Sequence, residues 1–247
     1  MSASGDRDRL AALRAVVATA CRILGHQGLA ADVLGHVSVR LDADRILVRC
    51  RGPEDRGLLF TVAEDIRVVD LDGDADLAGG YAVPNEVHIH TELYRARPGA
   101  HAVVHAHPRE VVVADLARIE LRQTFGAYNI PASHMARRGV PVYPRSALIC
   151  TAELGRAVAT AVGDGGAAIL RGHGIVTFGD SVEHAIMRAL DLTELCRIAT
   201  HVALLGGRPQ PLREDDRSRL PELGPSFNDV SRWRHYAGRL EAAGLGL

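Results

Sequence analysis

The chain has 247 residues, of which 47% are hydrophobic and 24% charged, and its formal net charge is −1. This length can bury the core of one α/β domain, and the balance excludes an intrinsically disordered chain. The near-zero charge and the scattered arginines exclude a basic nucleic-acid surface, and no apolar run reaches the roughly 18 residues that a membrane span needs. The N-terminal residues carry mixed charges without a signal-peptide pattern, so we expect a cytoplasmic protein.

The basic and sulfur-containing residues limit the cofactors and the kinds of catalysis that the chain can use. All 29 basic residues are arginine. Schiff-base chemistry, pyridoxal phosphate and the P-loop each need a lysine, so carbanion chemistry here would need another electron sink, and a metal ion is the natural candidate. The cysteines are far apart with no C-x-x-C pair, so we predict four buried thiols rather than disulfides or a thiolate zinc site. They are Cys21, Cys50, Cys150 and Cys196.

The first half of the chain is predicted to consist of a helix, several short strands and a second helix. Helical spacing of apolar residues indicates the helices, and alternation of apolar and polar residues indicates the strands. In chain order, the predicted elements are a helix over 6–26, strands over 35–41, 45–51, 58–61 and 67–71, a helix over 86–97 and a strand over 102–107.

The second half is predicted to be mostly helical. Its predicted elements are a helix over 109–117, loop and strand within 139–150, a helix over 152–162, a strand over 167–170, a helix over 181–205 and an amphipathic segment over 230–243. Strands and helices do not alternate strictly, which favours an α/β/α layered sheet with antiparallel pairs over a doubly wound parallel one. Because the composition turns polar after Pro209, we predict a catalytic domain over 1–208 and a C-terminal extension over 209–247.

Three histidines near predicted strand ends form a candidate metal site. Alternate residues of a strand point to the same side, so His105 and His107 can converge on one ion. His173 follows another apolar strand, and its flanking glycines allow a sharp turn and close approach. Three imidazoles leave coordination positions open, as a catalytic metal requires, and they suit zinc, manganese, iron or cobalt.

Glu86, at the predicted start of a helix, is the candidate acid/base. A glutamate at this position could also do no more than complement the helix dipole. His88 and His90 cannot both share its face of the helix. We therefore predict that His90 is a buried, hydrogen-bonded core histidine and that His88 is the more exposed of the two.

Taken together, these motifs resemble the class II aldolase/adducin head family over nearly all of residues 8–207. The resemblance rests on a few stretches: Gly35-His36-Val37-Ser38-Val39-Arg40, Glu86-x-x-x-His90-x-x-x-Tyr94, His105-Ala106-His107-Pro108, Leu170-Arg171-Gly172-His173-Gly174 and Gly179-Asp180-Ser181-x-Glu183-x-Ala185.

The resemblance implies a three-layer α/β/α sandwich around a mainly antiparallel sheet. It also implies a homotetramer with sites at subunit interfaces, a divalent metal (zinc first) on His105, His107 and His173, and Glu86 as the catalytic residue. The C-terminal extension is expected to pack on a neighbouring subunit, where residues such as His235 or Tyr236 would close the site.

Three departures from the sugar-phosphate members of the family bear on the substrate. Where those members have Gly-Asn, Ser-Gly and Ser-Ser, this chain has Gly35-His36, Arg51-Gly52 and Pro84-Asn85. Arginine can also hold phosphate, but a guanidinium matches a carboxylate with two parallel hydrogen bonds, which favours a carboxylated substrate without phosphate. We predict that His36, Arg51 and Asn85 bind substrate.

Two further residues, Tyr128 and His134, lie in a polar stretch of the chain. Each of the two side chains could line the pocket or instead fill a loop, and Tyr128 is also predicted to bind substrate.

The leading functional hypothesis is a metal-dependent decarboxylase of a dihydroxylated aromatic acid, of the dihydroxyphthalate type. Arg51 or His36 would hold a carboxylate, and Glu86, with its pKa raised by partial burial, would protonate the ring carbon. Three alternatives stay open: an aldolase or epimerase on a small hydroxy-carbonyl or sugar-phosphate substrate, a non-haem iron oxygenase on the same histidines, and a non-catalytic adducin-like interaction domain.

Overall fold

The computed structural model describes residues 3–30, 32–75 and 77–247. Its centre is a seven-stranded sheet in the order β3-β2-β1-β4-β7-β6-β5. The strands are β1 (His36–Arg40), β2 (Arg45–Arg49), β3 (Ile66–Asp70), β4 (Ala102–Ala106), β5 (Val142–Tyr143), β6 (Ala167–Leu170) and β7 (Gly174–Gly179). Neighbouring strands are antiparallel except for β5 and β6, which are parallel. The predicted mainly antiparallel α/β fold is confirmed.

Helices cover both faces of the sheet. They are α1 (Ala3–His26), α2 (Val87–Ala96), α3 (Arg109–Leu116), α4 (Ile130–Arg138), α5 (Ala152–Val162), α6 (Val182–Leu204), α7 (Glu214–Arg219) and α8 (Arg232–Ala242). Alternate residues of β4 face opposite layers, as the pleat requires. Val104 packs with α1 and α6 in one core, and Val103 packs with α2 and α5 in the other. The result is the predicted three-layer sandwich.

Three local predictions were wrong or incomplete. Residues 58–61 form a 3-10 helix (Leu58–Phe60) rather than a strand, because Gly57 turns the chain at φ 88° and its carbonyl accepts the Phe60 N–H at 3.2 Å. Helix α4 was not predicted, although Asn129 caps it by accepting the Ala132 N–H at 3.1 Å. Strand β7, which begins and ends with glycine, was also not predicted.

The cysteine prediction holds for three of the four thiols. Cys21, Cys50 and Cys196 are buried, whereas Cys150 is exposed. Cys150 lies just before the Thr151 cap of α5, in a segment that belongs to no strand. Its thiol therefore has no core to pack into.

The C-terminal segment packs on helices of its own chain. The guanidinium of Arg232 makes two hydrogen bonds to Asp191 of α6, at 2.7 and 3.0 Å. Leu240 is buried in the core that α1 and α6 share, and Trp233 and Tyr236 pack against it. None of the helices in the described ranges is both long and apolar enough to cross a bilayer.

Candidate metal centre

The pairing of β1 with β4 places a neighbouring histidine, His36, beside the first candidate ligand, His105. His36 of β1 is the antiparallel partner of His105 of β4, and their ring centroids are 5.0 Å apart. His107 follows the end of β4, where its N–H donates to Leu29 O at 3.0 Å. Its Nε2 lies 2.8 Å from Nε2 of His105. The His-x-His pair therefore converges, as the alternation of a strand predicts.

His173 reaches the same point from the turn between β6 and β7. Gly172 adopts φ +56° in this turn, a conformation that favours glycine. At Gly174, an added Cβ would lie 2.3 Å from Ala106 O, so only glycine lets β7 approach β4 this closely. The His173 ring centroid is 5.0 Å from that of His105 and 4.8 Å from that of His107.

Glu86 completes the cluster from the start of α2. One carboxylate oxygen, Oε1, accepts the backbone N–H of Ile149 at 2.9 Å. The other, Oε2, lies 3.3 Å from His105 Nε2 and 3.4 Å from His173 Nε2. The backbone therefore fixes the carboxylate so that one oxygen faces the imidazoles.

The four side chains fit a divalent cation. Their donor atoms all lie within 4.8 Å of one another, so small side-chain adjustments would bring them to ordinary ligand distances of about 2.0–2.2 Å from one ion. Nδ1 of His105 donates to the Ile175 carbonyl at 2.9 Å, which leaves the Nε2 lone pair free for a metal. Imidazole and carboxylate donors suit zinc and several first-row transition metals.

The electrostatics favour a neutral imidazole at His107 and an ionised carboxylate at Glu86. Burial, reinforced by His105, lowers the pKa of His107 to about 3. Burial acts to raise the pKa of Glu86, but the contacts with His105 and His173 outweigh it, and the pKa is held well below its ordinary value. The expectation of a raised Glu86 pKa is therefore wrong, and the carboxylate is ionised at neutral pH.

Next to the cluster, His36 belongs to a buried polar network. Its Nδ1 lies 2.6 Å from Nε2 of His90, and Nδ1 of His90 lies 2.6 Å from the Ser38 hydroxyl. His90 is fully buried and His88 is not, as predicted.

The other predicted substrate residues are not part of this network. Asn85 is exposed and precedes Glu86 directly, while Arg51 is exposed and its backbone pairs with Ala82. Tyr128 is 68% exposed and donates to Glu194, and it lines a cavity of about 430 Å³ together with Tyr236. Among the described residues, no hydrogen bond or ring contact joins either tyrosine to the cluster.

His134, the second residue of the polar stretch, contacts an acidic side chain rather than the cluster. It lies on α4, and its Nδ1 is 2.9 Å from a carboxylate oxygen of Glu222.

Sequence reasoning missed one residue that supports the site. Asp115 of α3 is buried, its Oδ2 accepts the Gly172 N–H at 2.8 Å, and its Oδ1 lies 2.9 Å from Nε of Arg171. It thereby holds the turn that carries His173. A lone aspartate near the end of a helix gives no signal of such a role in the sequence.

The chain is similar over most of its length to known enzymes. It is 47% identical over 237 residues to the 3,4-dihydroxyphthalate decarboxylase of Arthrobacter keyseri, covering 94% of this chain and 96% of that one. It is 44% identical over 230 residues to the enzyme of the same name from Rhodococcus jostii, covering 92% and 95%.

Solved structures show the same fold. An aldolase II superfamily protein from Pseudomonas syringae superimposes with a TM-score of 0.80 at 23% identity, covering 97% of each chain. The family model described as "Class II Aldolase and Adducin N-terminal domain" matches residues 15–200. The chain therefore belongs to the class II aldolase and adducin N-terminal domain family.

Proposed function

We propose that this protein is a divalent-metal-dependent decarboxylase of a dihydroxylated aromatic acid, with 3,4-dihydroxyphthalate as its substrate. The observation that carries the proposal is the intact cluster of Glu86, His105, His107 and His173 in a chain 47% identical to a decarboxylase so named. The sequence relationship supports the substrate, and the cluster supports the chemistry.

In this proposal, His105, His107 and His173 hold the ion, with zinc as the first choice and manganese, iron or cobalt as alternatives. A metal ion held there would supply Lewis-acid chemistry that stabilises the negative charge developing on the substrate during the reaction. The low pKa of His107 supports this role, because a neutral imidazole is ready to donate its lone pair.

Glu86 serves as both base and acid. Its ionised carboxylate takes the proton of a substrate hydroxyl, and the electron pair left on that oxygen moves into the ring as Glu86 delivers the proton to the ring carbon that bears the carboxylate. The bond between that carbon and the carboxylate then breaks, carbon dioxide leaves, and the bonding pair restores the aromatic ring and the oxyanion. Solvent restores the hydroxyl proton. The hydrogen bond from Ile149 keeps the other oxygen fixed, so the carboxylate need not reorient between the two transfers.

The remaining predicted residues are assigned to substrate binding. His36 borders the cluster, and Asn85 adjoins Glu86 in the chain. Arg51 would hold a substrate carboxylate by a bidentate contact. Tyr128 and Tyr236 would reach the site of a neighbouring subunit in a homotetramer, in which the segment 209–247 packs on its own chain and also contacts the neighbouring subunit. A cytoplasmic location is part of the same proposal.

A reconstitution experiment tests the proposal. The purified chain is stripped of metal, reloaded without oxygen with zinc, manganese, iron or cobalt, and assayed for carbon dioxide release from 3,4-dihydroxyphthalate. The control substrate is phthalate, which lacks both hydroxyl groups. Metal-dependent release from the first compound alone is the expected result.

Three other outcomes would overturn the proposal and identify an alternative. Cleavage of a sugar phosphate without decarboxylation would indicate an aldolase. Iron-dependent oxygen consumption would indicate an oxygenase. A chain that binds no metal would fit the adducin-like interaction domain.

A further inference from the structure

A cavity of about 260 Å³ lies between α4, the first half of α6 and the segment 221–232. None of the four residues of the metal centre lines it, and the reaction proposed above does not use it. Its walls are partly apolar and include Met135 of α4, Met187 of α6 and Leu223. The cavity therefore offers space for a small molecule with an apolar middle, such as a single aromatic ring.

Two arginines that lack a carboxylate partner line this cavity. Arg138, at the end of α4, is exposed, and Arg188 of α6 is half-buried with its Nη1 donating to the Phe178 carbonyl at 2.5 Å. Among the described residues, no carboxylate oxygen lies within 4.0 Å of either guanidinium. Burial and then the charge of Arg138 lower the pKa of Arg188, so the two guanidinia are close enough to repel each other. A carboxylate bound between them would relieve this repulsion and accept hydrogen bonds from both.

The segment 221–232 supplies hydrogen-bond acceptors that have no donor. The side-chain nitrogen of Asn228 donates to the Leu223 carbonyl at 2.8 Å, which leaves Oδ1 of Asn228 buried without a partner. Asp229 is 6% exposed, and no donor in the described ranges makes a hydrogen bond to its carboxylate. Burial raises the pKa of Asp229, as expected for a carboxylate without such donors. Because unpaired buried acceptors cost free energy, both side chains would gain from the donors of a ligand.

The two sets of polar groups fit different ends of one molecule. The arginines fit a carboxylate, the acceptors fit hydroxyl hydrogens, and the apolar side chains fit a ring between them. An inorganic anion would pair with the arginines alone and leave the acceptors without donors. An aromatic acid that carries hydroxyl groups away from its carboxylate has all three features.

We propose that this cavity is a second ligand site, which binds a hydroxylated aromatic acid with its carboxylate on Arg138 and Arg188 and its hydroxyl groups on Asn228 and Asp229. The choice of an aromatic acid rests on the function proposed above, because decarboxylation of dihydroxyphthalate leaves a ring with one carboxylate and two adjacent hydroxyl groups. The pairing of donors with acceptors does not rest on it. The site would thus hold the product class of the reaction away from the metal centre.

The methionines provide a direct test of this site. The chain has three, of which Met135 and Met187 line the cavity and the third is Met1. Methyl NMR of the zinc-loaded full chain labelled at methionine therefore reports on the cavity itself, with the two signals assigned by their loss in Met135→Leu and Met187→Leu. Titration with 3,4-dihydroxybenzoate should shift both signals to a plateau, because a bound ring changes the field at each methyl group. Unchanged signals would overturn the proposal.

Fragments of the probe separate the two ends of the site. Benzoate lacks the hydroxyl groups and catechol lacks the carboxylate, so each should bind at least about tenfold more weakly than 3,4-dihydroxybenzoate, the size of one lost hydrogen bond. Equal affinity for either fragment would contradict the two-ended site. L-Phenylalanine is the competing probe, because its ammonium group could also reach an acidic side chain. Tighter binding of phenylalanine would overturn the choice of an aromatic hydroxy acid.

Two variants test the assigned contacts one at a time. Arg138→Gln should weaken 3,4-dihydroxybenzoate binding about tenfold and leave catechol binding unchanged. Its matched control is Arg137→Gln, which alters the adjacent exposed arginine that does not line the cavity. Asp229→Asn should remove the advantage of 3,4-dihydroxybenzoate over benzoate, and it breaks no hydrogen bond of the folded chain. Equal binding by the two arginine variants, or a retained advantage in Asp229→Asn, would contradict the assignment.

A last comparison separates this site from the metal centre. The methionine signals should shift equally in His173→Ala, which lacks a candidate metal ligand. Loss of the shifts in that variant would show that the ligand binds at the metal and would overturn the second site. Absence of decarboxylation in the wild type would overturn the proposed function and leave the binding result standing.

Discussion

The Oδ2 atom of Asp115 accepts the backbone N–H of Gly172 at 2.8 Å. Because Gly172 precedes His173 in the β6–β7 turn, this single contact ties the position of a candidate metal ligand to helix α3. The same carboxylate lies 2.9 Å from Nε of Arg171, so its two oxygens hold consecutive residues of the turn.

Replacing Asp115 with Asn should therefore weaken metal binding without abolishing the fold. Loss of such a supporting contact typically costs about 10–100-fold in metal affinity. Competition with a chromophoric zinc chelator measures the change. Asp180→Asn, which alters an exposed carboxylate paired with His184, is the control and should bind zinc like the wild type. Equal affinity in both variants would show that Asp115 does not position His173.

Glu86→Gln should retain metal but lose turnover. The amide keeps the shape of the side chain but can neither take nor deliver a proton, and general acid–base catalysis is worth about 10²–10⁴-fold. Metal analysis and carbon dioxide release are measured on the same preparation. Wild-type turnover in this variant would remove Glu86 from the mechanism.

The buried histidines should make the metal-free chain sensitive to acid. The pKa of His90 is about 3 in the folded chain against 6.5 for an ordinary histidine, so the unfolded chain binds more protons between these values. The free energy of unfolding is therefore highest above pH 6.5 and falls as the pH drops toward 3. His36 and His107, whose pKa values are also lowered, act in the same direction.

His90→Gln should weaken the pH dependence of the free energy of unfolding, because one fewer proton is taken up when the chain unfolds. The slope of unfolding free energy against pH should fall by about 1.4 kcal/mol per pH unit between pH 6 and 4. Urea unfolding of the metal-free variant at several pH values gives the slope. His201→Gln, which alters an exposed histidine, should leave the slope unchanged, and a wild-type slope in His90→Gln would contradict the assignment.

Arg232→Ala should destabilise the attachment of the C-terminal segment. Asp191 is 2% exposed and would be left as a buried charge without its guanidinium partner, which typically costs about 3–5 kcal/mol. Thermal unfolding and limited proteolysis after residue 209 measure the loss. Arg213→Ala removes a contact of 4.0 Å between Arg213 and Asp215, both about 80% exposed, and should change little. Similar stability of the two variants would rule out a structural role for the Arg232 pair.

The convergence of the candidate ligands could be predicted because it depends on patterns between residues that are close together in the sequence. A strand places His105 and His107 on one side, and the glycines beside His173 mark a tight turn, whatever the rest of the chain does. The burial of His90 was also predicted correctly, from its place on a helix relative to Glu86.

Other features depend on contacts between distant segments, and no local pattern contains them. The link from His36 to His90 follows from how β1 pairs with β4 and how α2 packs on that sheet. The support from Asp115 spans 57 residues. Helix α4 was not predicted, although Pro131 suits a first helical turn and Gly139 a helix end.

The central claim is that the cluster of Glu86, His105, His107 and His173 is the metal centre of an aromatic decarboxylase. The most direct measurement is a zinc titration of the metal-free chain, with carbon dioxide release from 3,4-dihydroxyphthalate followed at each addition. We predict that release rises in proportion to bound zinc, reaches its plateau at one ion per chain, and is absent in His173→Ala. Release by the metal-free chain, or full release by His173→Ala, would contradict the claim.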